Sequence, residues 1–228
     1  MRRVPAACTT EDMQGYRSHL VRVFVLDDHD IVRRGLLDLL TTKRDIIVVG
    51  DAGSAAQATP RIIELRPDVM VLDVQLQDGS GVQVCRDVRS VDPSIRGVLL
   101  TSAGDEEALI LSVLAGADGA LAKLSGTTDI VEAVRRVGAG RALREPADSE
   151  RVGDQLRVRA ESLDPALTPR EAETLSLVLA GHTDQQVADQ RQQPLTLARD
   201  EVALLIGRLT TESTRANSHG TGRRRRDS

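Results

Sequence analysis

Short apolar runs alternate with longer amphipathic stretches from Val21 to about Gly140. The short runs are VRVFVL, DIIVVG, DVMVLDV, GVLLTS and GALAKL. Each is bounded by Asp, Gly or Pro, and most are rich in Val, Ile or Leu, as strands of a buried parallel sheet are. Between them lie IVRRGLLDLL, the stretch Ser54 to Leu65, GVQVCRDVRS, EEALILSVLAGA and TTDIVEAVRRVG, with apolar positions at helical spacing. Five strand-helix units in succession predict an α/β, doubly wound sheet with helices on both faces. Pro60 falls inside the second helix and predicts a late start or a bend there.

Residues 143–166 are rich in Arg, Glu, Asp and Ser and read as a linker, with one helix around Val152 to Ala160. Helical spacing returns at 167–211: ETLSLVLAG ends in Gly181, DQQVADQ is short, and LARDEVALLIGRL is longer. That order predicts a small all-α helix-turn-helix module. Residues 1–20 and 212–228 contain little that could build a core and are expected to be disordered; the second closes on the basic run Arg223 to Arg226. The core-forming units are therefore 21–142 and 167–211.

Hydrophobic residues are 40% of the chain and charged residues 28%, the balance of a globular protein. Tyr16 and Phe24 are its only aromatic residues, so the core must be aliphatic. Cys8 and Cys85 are too few for a disulfide framework and lack metal-ligand spacing. No apolar run approaches the length that spans a bilayer, and MRRVPAACTT has no apolar segment after its basic start. A cytoplasmic location without a membrane partner is expected.

Candidate chemistry collects at the carboxyl ends of the strands, where ligand sites of such sheets form. The first strand is followed by Asp27 and Asp28, and the third by Asp73. The fourth leads into Thr101 and Ser102, and the fifth into Lys123. Carboxylates converging on one rim stay ionised comfortably only beside a cation, and hard oxygen ligands with a phosphate partner suit Mg2+. An Asp carboxylate can attack phosphorus to give an acyl phosphate. Thr101 could then donate to a phosphoryl oxygen and Lys123 act as its point charge.

The motifs VLDDHDIVRRGLLDLL, RPDVMVLDVQLQDGSG, LLTSAGDEEA and LAGADGALAK resemble, in order and spacing, the receiver domain of NarL/FixJ response regulators. VRRVGAGRALREP extends the likeness to the linker, and the chain is most similar to the actinobacterial dormancy-survival branch. The resemblance implies a flavodoxin-like fold in which Asp73 accepts a phosphoryl group from a sensor histidine kinase. It also implies Mg2+ held by Asp28, Asp73 and the Gln75 carbonyl, with Asp27 acting through water. Thr101 and Lys123 take the phosphate-sensing roles, and a homodimer forms on activation.

Two departures bear on signal transmission: the family's aromatic switch position holds Ala120, and a Pro common before Asp-Gly is replaced by Gln77. His29 after the acidic pair reads as a supporting residue. An Asp-nucleophile phosphatase is the enzymatic rival, but its general acid would fall on Gln75, which is no acid. The chain is therefore read as no enzyme.

LTPREAETLSLVLAGHTDQQVADQ resembles the start of a LuxR-type DNA-binding domain, which implies promoter DNA as a partner. Thr196, Arg199 and Arg208 are the candidate DNA contacts. Past Gln190 the likeness fades: the recognition helix carries Leu197, Ala198, Arg199 and Asp200 instead of a Thr-Val-Lys-Asn-like run. Between Leu167 and Asn217 five arginines face seven carboxylates, a net charge of −2 and the wrong sign for neutralising phosphates. A divergent regulator that takes phosphate or pairs with other regulators, without reading sequence, is the alternative.

Overall fold

The computed structural model describes residues 20–218 apart from 124 and 125, and leaves undescribed the side chains of residue 127 and of 211–218. The expectations placed on residues 1–19 and 219–228 lie outside the described residues. Strands β1 (Val21–Leu26), β2 (Ile46–Ala52), β3 (Val69–Asp73), β6 (Arg96–Thr101) and β7 (Gly119–Ala122) form one parallel sheet in the order β2-β1-β3-β6-β7. The order reverses between β1 and β3, which places the switch point beside the residues that follow those strands.

Helices α1 (Asp30–Thr41) and α5 (Thr127–Gly138) cover one face of the sheet, over Val23, Val25, Val71 and Leu100. Helices α2 (Ala55–Leu65), α3 (Gly81–Val91) and α4 (Asp105–Ala115) cover the other, over Phe24, Met70, Leu72 and Leu99. Alternate residues of each strand thus serve opposite layers, as the two-residue period of a strand requires. Pro60 lies inside α2 without delaying it; the helix starts at Ala55, where Ser54 caps it by accepting from the Gln57 N–H. As the sixth residue of the helix, Pro60 withholds the N–H that would donate to the Ala56 carbonyl.

A two-residue hairpin, β4 (Gln75–Leu76) with β5 (Gly79–Ser80), was not signalled by the apolar pattern. It forms directly after Asp73, and its turn is tied down at both corners. The Gln77 N–H donates to Asp28 Oδ2 at 3.0 Å, and Asp78 accepts from the N–H groups of Ala55 and Ala56. Gly81 follows because a Cβ there would lie 2.1 Å from the Asp73 carbonyl oxygen.

Within 143–166, read as a linker with one helix, the helix is longer than expected. Helix α6 (Pro146–Glu161) is 16 residues long, starting before the expected Val152, with Pro146 at its first position. Its Val152, Leu156 and Ala160 are buried in the same cluster as α4. The periodicity was masked by the charged residues of its exposed face. Helices α7 (Pro169–Leu179), α8 (Asp184–Gln190) and α9 (Leu195–Ser218) complete the module. Capping boxes Thr168/Glu171 and Thr183/Gln186 open α7 and α8, and Gly181, at φ 84°, ends the α7 turn in the left-handed region. Helix α9 runs seven residues past the expected end at Thr211, since 212–218 hold no Gly or Pro to stop it.

If α6 is part of the core, Leu156→Ala should lower unfolding free energy by roughly 2–5 kcal/mol, read by urea denaturation of the full chain. An unchanged midpoint would return the segment to the status of a linker.

Candidate functional site

Strand register brings the site together. Leu26 and Leu72 are partners in the β1–β3 ladder, so the residues after them, Asp27 and Asp73, stand side by side. Asp73 pairs with Leu100 across β3–β6, which leaves Thr101 one step further along the same edge. The Lys123 N–H donates to the Thr101 carbonyl at 2.7 Å, carrying β7's pairing one residue further to the lysine. Asp27 is wholly buried, and Asp73 and Thr101 are 1% and 2% exposed.

Lys123 Nζ sits 2.6 Å from Asp73 Oδ2 and 3.0 Å from Asp27 Oδ2, bridging two carboxylates. Backbone donors hold the rest: the Gln75 N–H donates to Asp73 Oδ1 at 3.2 Å and the His29 N–H to Asp27 Oδ1 at 2.8 Å. The His29 ring is exposed, with Nδ1 2.7 Å from Asp28 Oδ1 and 3.9 Å from Asp73 Oδ2. Thr101 Oγ1 accepts from the Ala103 N–H at 3.0 Å. Burial pushes the Asp73 carboxyl above its ordinary value, against the Lys123 ammonium and the Gln75 N–H, which pull it down. Burial also works against the Lys123 ammonium, but contacts with Asp73 and Asp27 outweigh it and raise its pKa.

The donor set suits a cation. One ligand atom from each of Asp27, Asp28, His29 and Asp73 lies within 4.8 Å of the others. Asp28 Oδ1 is buried without a hydrogen-bond donor, and Asp27 Oδ2, buried too, has only the Lys123 ammonium beside it at 3.0 Å. Carboxylate oxygens left in this condition are what a hard divalent ion would satisfy. Residues Asp27, Asp28, Asp73, Thr101 and Lys123 are thus all at one rim, with Gln75 on the adjoining hairpin.

The three DNA candidates are not gathered in the same way. Thr196 is exposed on the first turn of α9. Arg199 turns to the αβ domain and meets Asp87 of α3 at 3.0 Å. Arg208 binds Glu171 at 2.5 Å and also the Pro165 carbonyl. At about 100° per residue, Arg199 and Arg208 lie on opposite sides of α9.

Two residues that sequence reasoning passed over are brought to the domain boundary. Arg86 of α3 and Asp184 of α8 form a buried ion pair at 2.6 Å. The signal was present: Arg86 stands four residues after Val82 on the apolar stripe of α3. A second signal was EEALILSVLAGA, apolar on nearly every side, which marks a helix covered all round.

Comparison with known proteins agrees with this geometry. The family model described as the response regulator receiver domain matches residues 23–135. DNA-binding transcriptional activator DevR/DosR of Mycobacterium tuberculosis is 41% identical over 195 residues, covering 85% of this chain and 90% of that protein. Response regulator protein VraR of Staphylococcus aureus is 30% identical, covering 84% and 91%. Among solved structures, a LuxR-family two-component response regulator from Aurantimonas sp. SI85-9A1 superposes with TM-score 0.53 at 29% identity, over 60% of this chain and 98% of that one. The receiver domain of the NarL regulator of Mycobacterium tuberculosis gives 0.51 at 36% identity, over 53% and 98%.

Because folding raises the Asp73 pKa, the folded chain holds that proton more tightly than the unfolded chain. The stability from this group is present below the ordinary carboxylate range and is lost as pH rises through the raised value. Lys123→Met removes the main opposing contact, so the Asp73 carboxyl should titrate still higher, followed by carbon-detected NMR. An unmoved midpoint would mean that the lysine contact is not made in solution.

Proposed function

The chain belongs to the LuxR/NarL-type response regulators, and on that premise we propose that Asp73 accepts a phosphoryl group from a sensor histidine kinase and so controls transcription. The observation that carries the reading is the bridging of Asp73 and Asp27 by Lys123 at one buried rim, with Thr101 beside it. An Asp73 oxygen attacks phosphorus as the bond to the donor nitrogen breaks, giving an acyl phosphate. Lys123 then finds a phosphoryl oxygen as partner, and Thr101 turns its hydroxyl towards another. Mg2+, held by Asp28, Asp73 and the Gln75 carbonyl with Asp27 through water, would supply neutralisation of the transferring charge. Gln75 is no proton donor, so phosphatase turnover forms no part of this function.

Promoter DNA is the proposed target of the module, with Thr196 and Arg199 as contacts and Arg208 turned away towards Glu171, a homodimer as the bound form and the cytoplasm as the location. No helix among the described residues is long and apolar enough to cross a membrane. One observation favours a second reading, an interaction protein that does not select sequence. Among the described side chains of the module, Arg170, Arg191, Arg199 and Arg208 are each ion-paired to a carboxylate. Leu204 meanwhile stands 64% exposed on α9.

Labelled acetyl phosphate should modify the wild-type chain and leave Asp73→Asn unmodified, and chelation of Mg2+ should stop the labelling. Labelling of the variant would overturn the site. In mobility shifts with beryllofluoride, Arg199→Ala should weaken promoter binding and reduce the slope of log affinity against log salt by about 1. Equal affinity for promoter and random DNA would favour the interaction protein.

A further inference from the structure

His29 stands at a position whose usual work it does not do. It opens α1 with extended backbone, at φ −86° and ψ 104°, where Ser, Thr, Asp or Asn would accept from the free N–H groups of the first turn. The imidazole makes no such capping bond. The ring, 64% exposed, turns back over the carboxylates of the rim instead. Its Nδ1 stands 2.7 Å from Asp28 Oδ1, 3.4 Å from Asp27 Oδ1 and 3.9 Å from Asp73 Oδ2. The backbone holds this placement, because the His29 N–H donates to Asp27 Oδ1 and the His29 carbonyl accepts from the Arg33 N–H.

The contact with Asp28 is close without being a hydrogen bond: Asp28 Oδ1 is buried and accepts from no donor. The Asp28 side chain is 7% exposed, and its other oxygen accepts from the Gln77 N–H. The Lys123 ammonium is occupied elsewhere, at the Oδ2 atoms of Asp27 and Asp73, whereas the imidazole faces the Oδ1 atoms of Asp27 and Asp28. The cluster therefore has a buried floor of carboxylates and a nitrogen donor on its solvent side. Adjacent ligands of an octahedral ion bonded at about 2.1 Å lie roughly 3 Å apart. The separations of 2.7 and 3.4 Å fall on either side of that edge length.

Resting on the phosphoacceptor reading above, we propose that His29 is a direct ligand of the cation at this rim and makes the site prefer a first-row transition dication to Mg2+. Mg2+ is hard, keeps several waters and gains little from a nitrogen donor. Imidazole is a softer donor, and its bond strengthens along the series from Mn2+ through Co2+ to Ni2+. Where Mg2+ would retain a water, His29 offers a nitrogen already set among the carboxylates. Phosphoryl acceptance by Asp73 then follows the supply of a transition ion as well as that of the donor. A histidine that merely screened the acids from solvent would confer no such preference.

The full chain loaded with Mn2+ is read by pulsed electron paramagnetic resonance, which detects the nitrogen of a coordinated imidazole directly. The wild type should show that nitrogen coupling, and His29→Phe, a change at an exposed ring, should lose it. Competition dialysis between Co2+ and Mg2+ gives a second readout. The wild-type preference for Co2+ should fall by about tenfold or more in His29→Phe, the scale on which even the surroundings of a metal ligand change affinity. Asp28→Asn should weaken both ions together and abolish the coupling. Failure of Mn2+ to bind, bound Mn2+ without nitrogen coupling, or coupling that survives Asp28→Asn overturns the imidazole ligand. An unchanged Co2+ preference in His29→Phe does so too. Labelling by acetyl phosphate is measured on the same preparation with each ion. Labelling without nitrogen coupling leaves the phosphoacceptor standing and strikes only the ligand. Nitrogen coupling without labelling supports the ligand and overturns the phosphoacceptor.

Discussion

Three carboxylates brought to one edge of a sheet repel each other, and the rest of the site is arranged around that repulsion. At about 4 Å and an intermediate protein dielectric, each like-charged pair costs on the order of 4 kcal/mol. Parallel pairing makes the convergence unavoidable, since Asp27 and Asp73 follow partnered residues of adjacent strands. The chain answers with one ammonium and with backbone N–H groups from His29, Gln75 and Gln77. These leave Asp28 Oδ1 without a donor, Asp27 Oδ2 with the ammonium alone and the Asp73 pKa raised by burial. A site in that condition is poised for a divalent cation and an incoming phosphoryl group.

The same bookkeeping of charge explains how the module sits. Its described arginines are matched to carboxylates, of which Glu171, Glu173 and Glu201 belong to the module and Asp87 to the receiver. Arg199 and Arg208, already paired, have little left for phosphates in this arrangement. Helix α4 is the shared element: it packs on β7 below and on α6 and α7 above, which is why so few of its residues meet water. Helix α4 and its lead-in from Thr101 therefore touch both the rim of the site and the helical module.

Legibility in the sequence tracked how local the cause was. The five strands, their helices and the residues at the strand ends could be read because period and punctuation are set by neighbours in the chain. The β4–β5 hairpin could not be read, because its turn is held by Asp28 and by the start of α2, remote in sequence. Helix α6 was underestimated because a helix with one charged face and one narrow apolar stripe resembles a linker until something covers the stripe. Arg86 sits on the apolar face of α3, and only its partners remote in sequence give it a role there.

The sequence by itself determined which atoms could do chemistry: Asp73, its acidic neighbours, Thr101 and Lys123, each at a strand end, together with an alanine where a ring was expected. The strand-end residues are properties of residue type and spacing; the alanine stands out only through the family resemblance. Only tertiary structure decided that Lys123 spans two carboxylates and that Arg86 and Asp184 close the domain boundary. It also decided that α9 lies across a cavity from Thr101. Contacts between residues far apart along the chain depend on how buried surfaces and paired charges settle together, and no local pattern records that outcome.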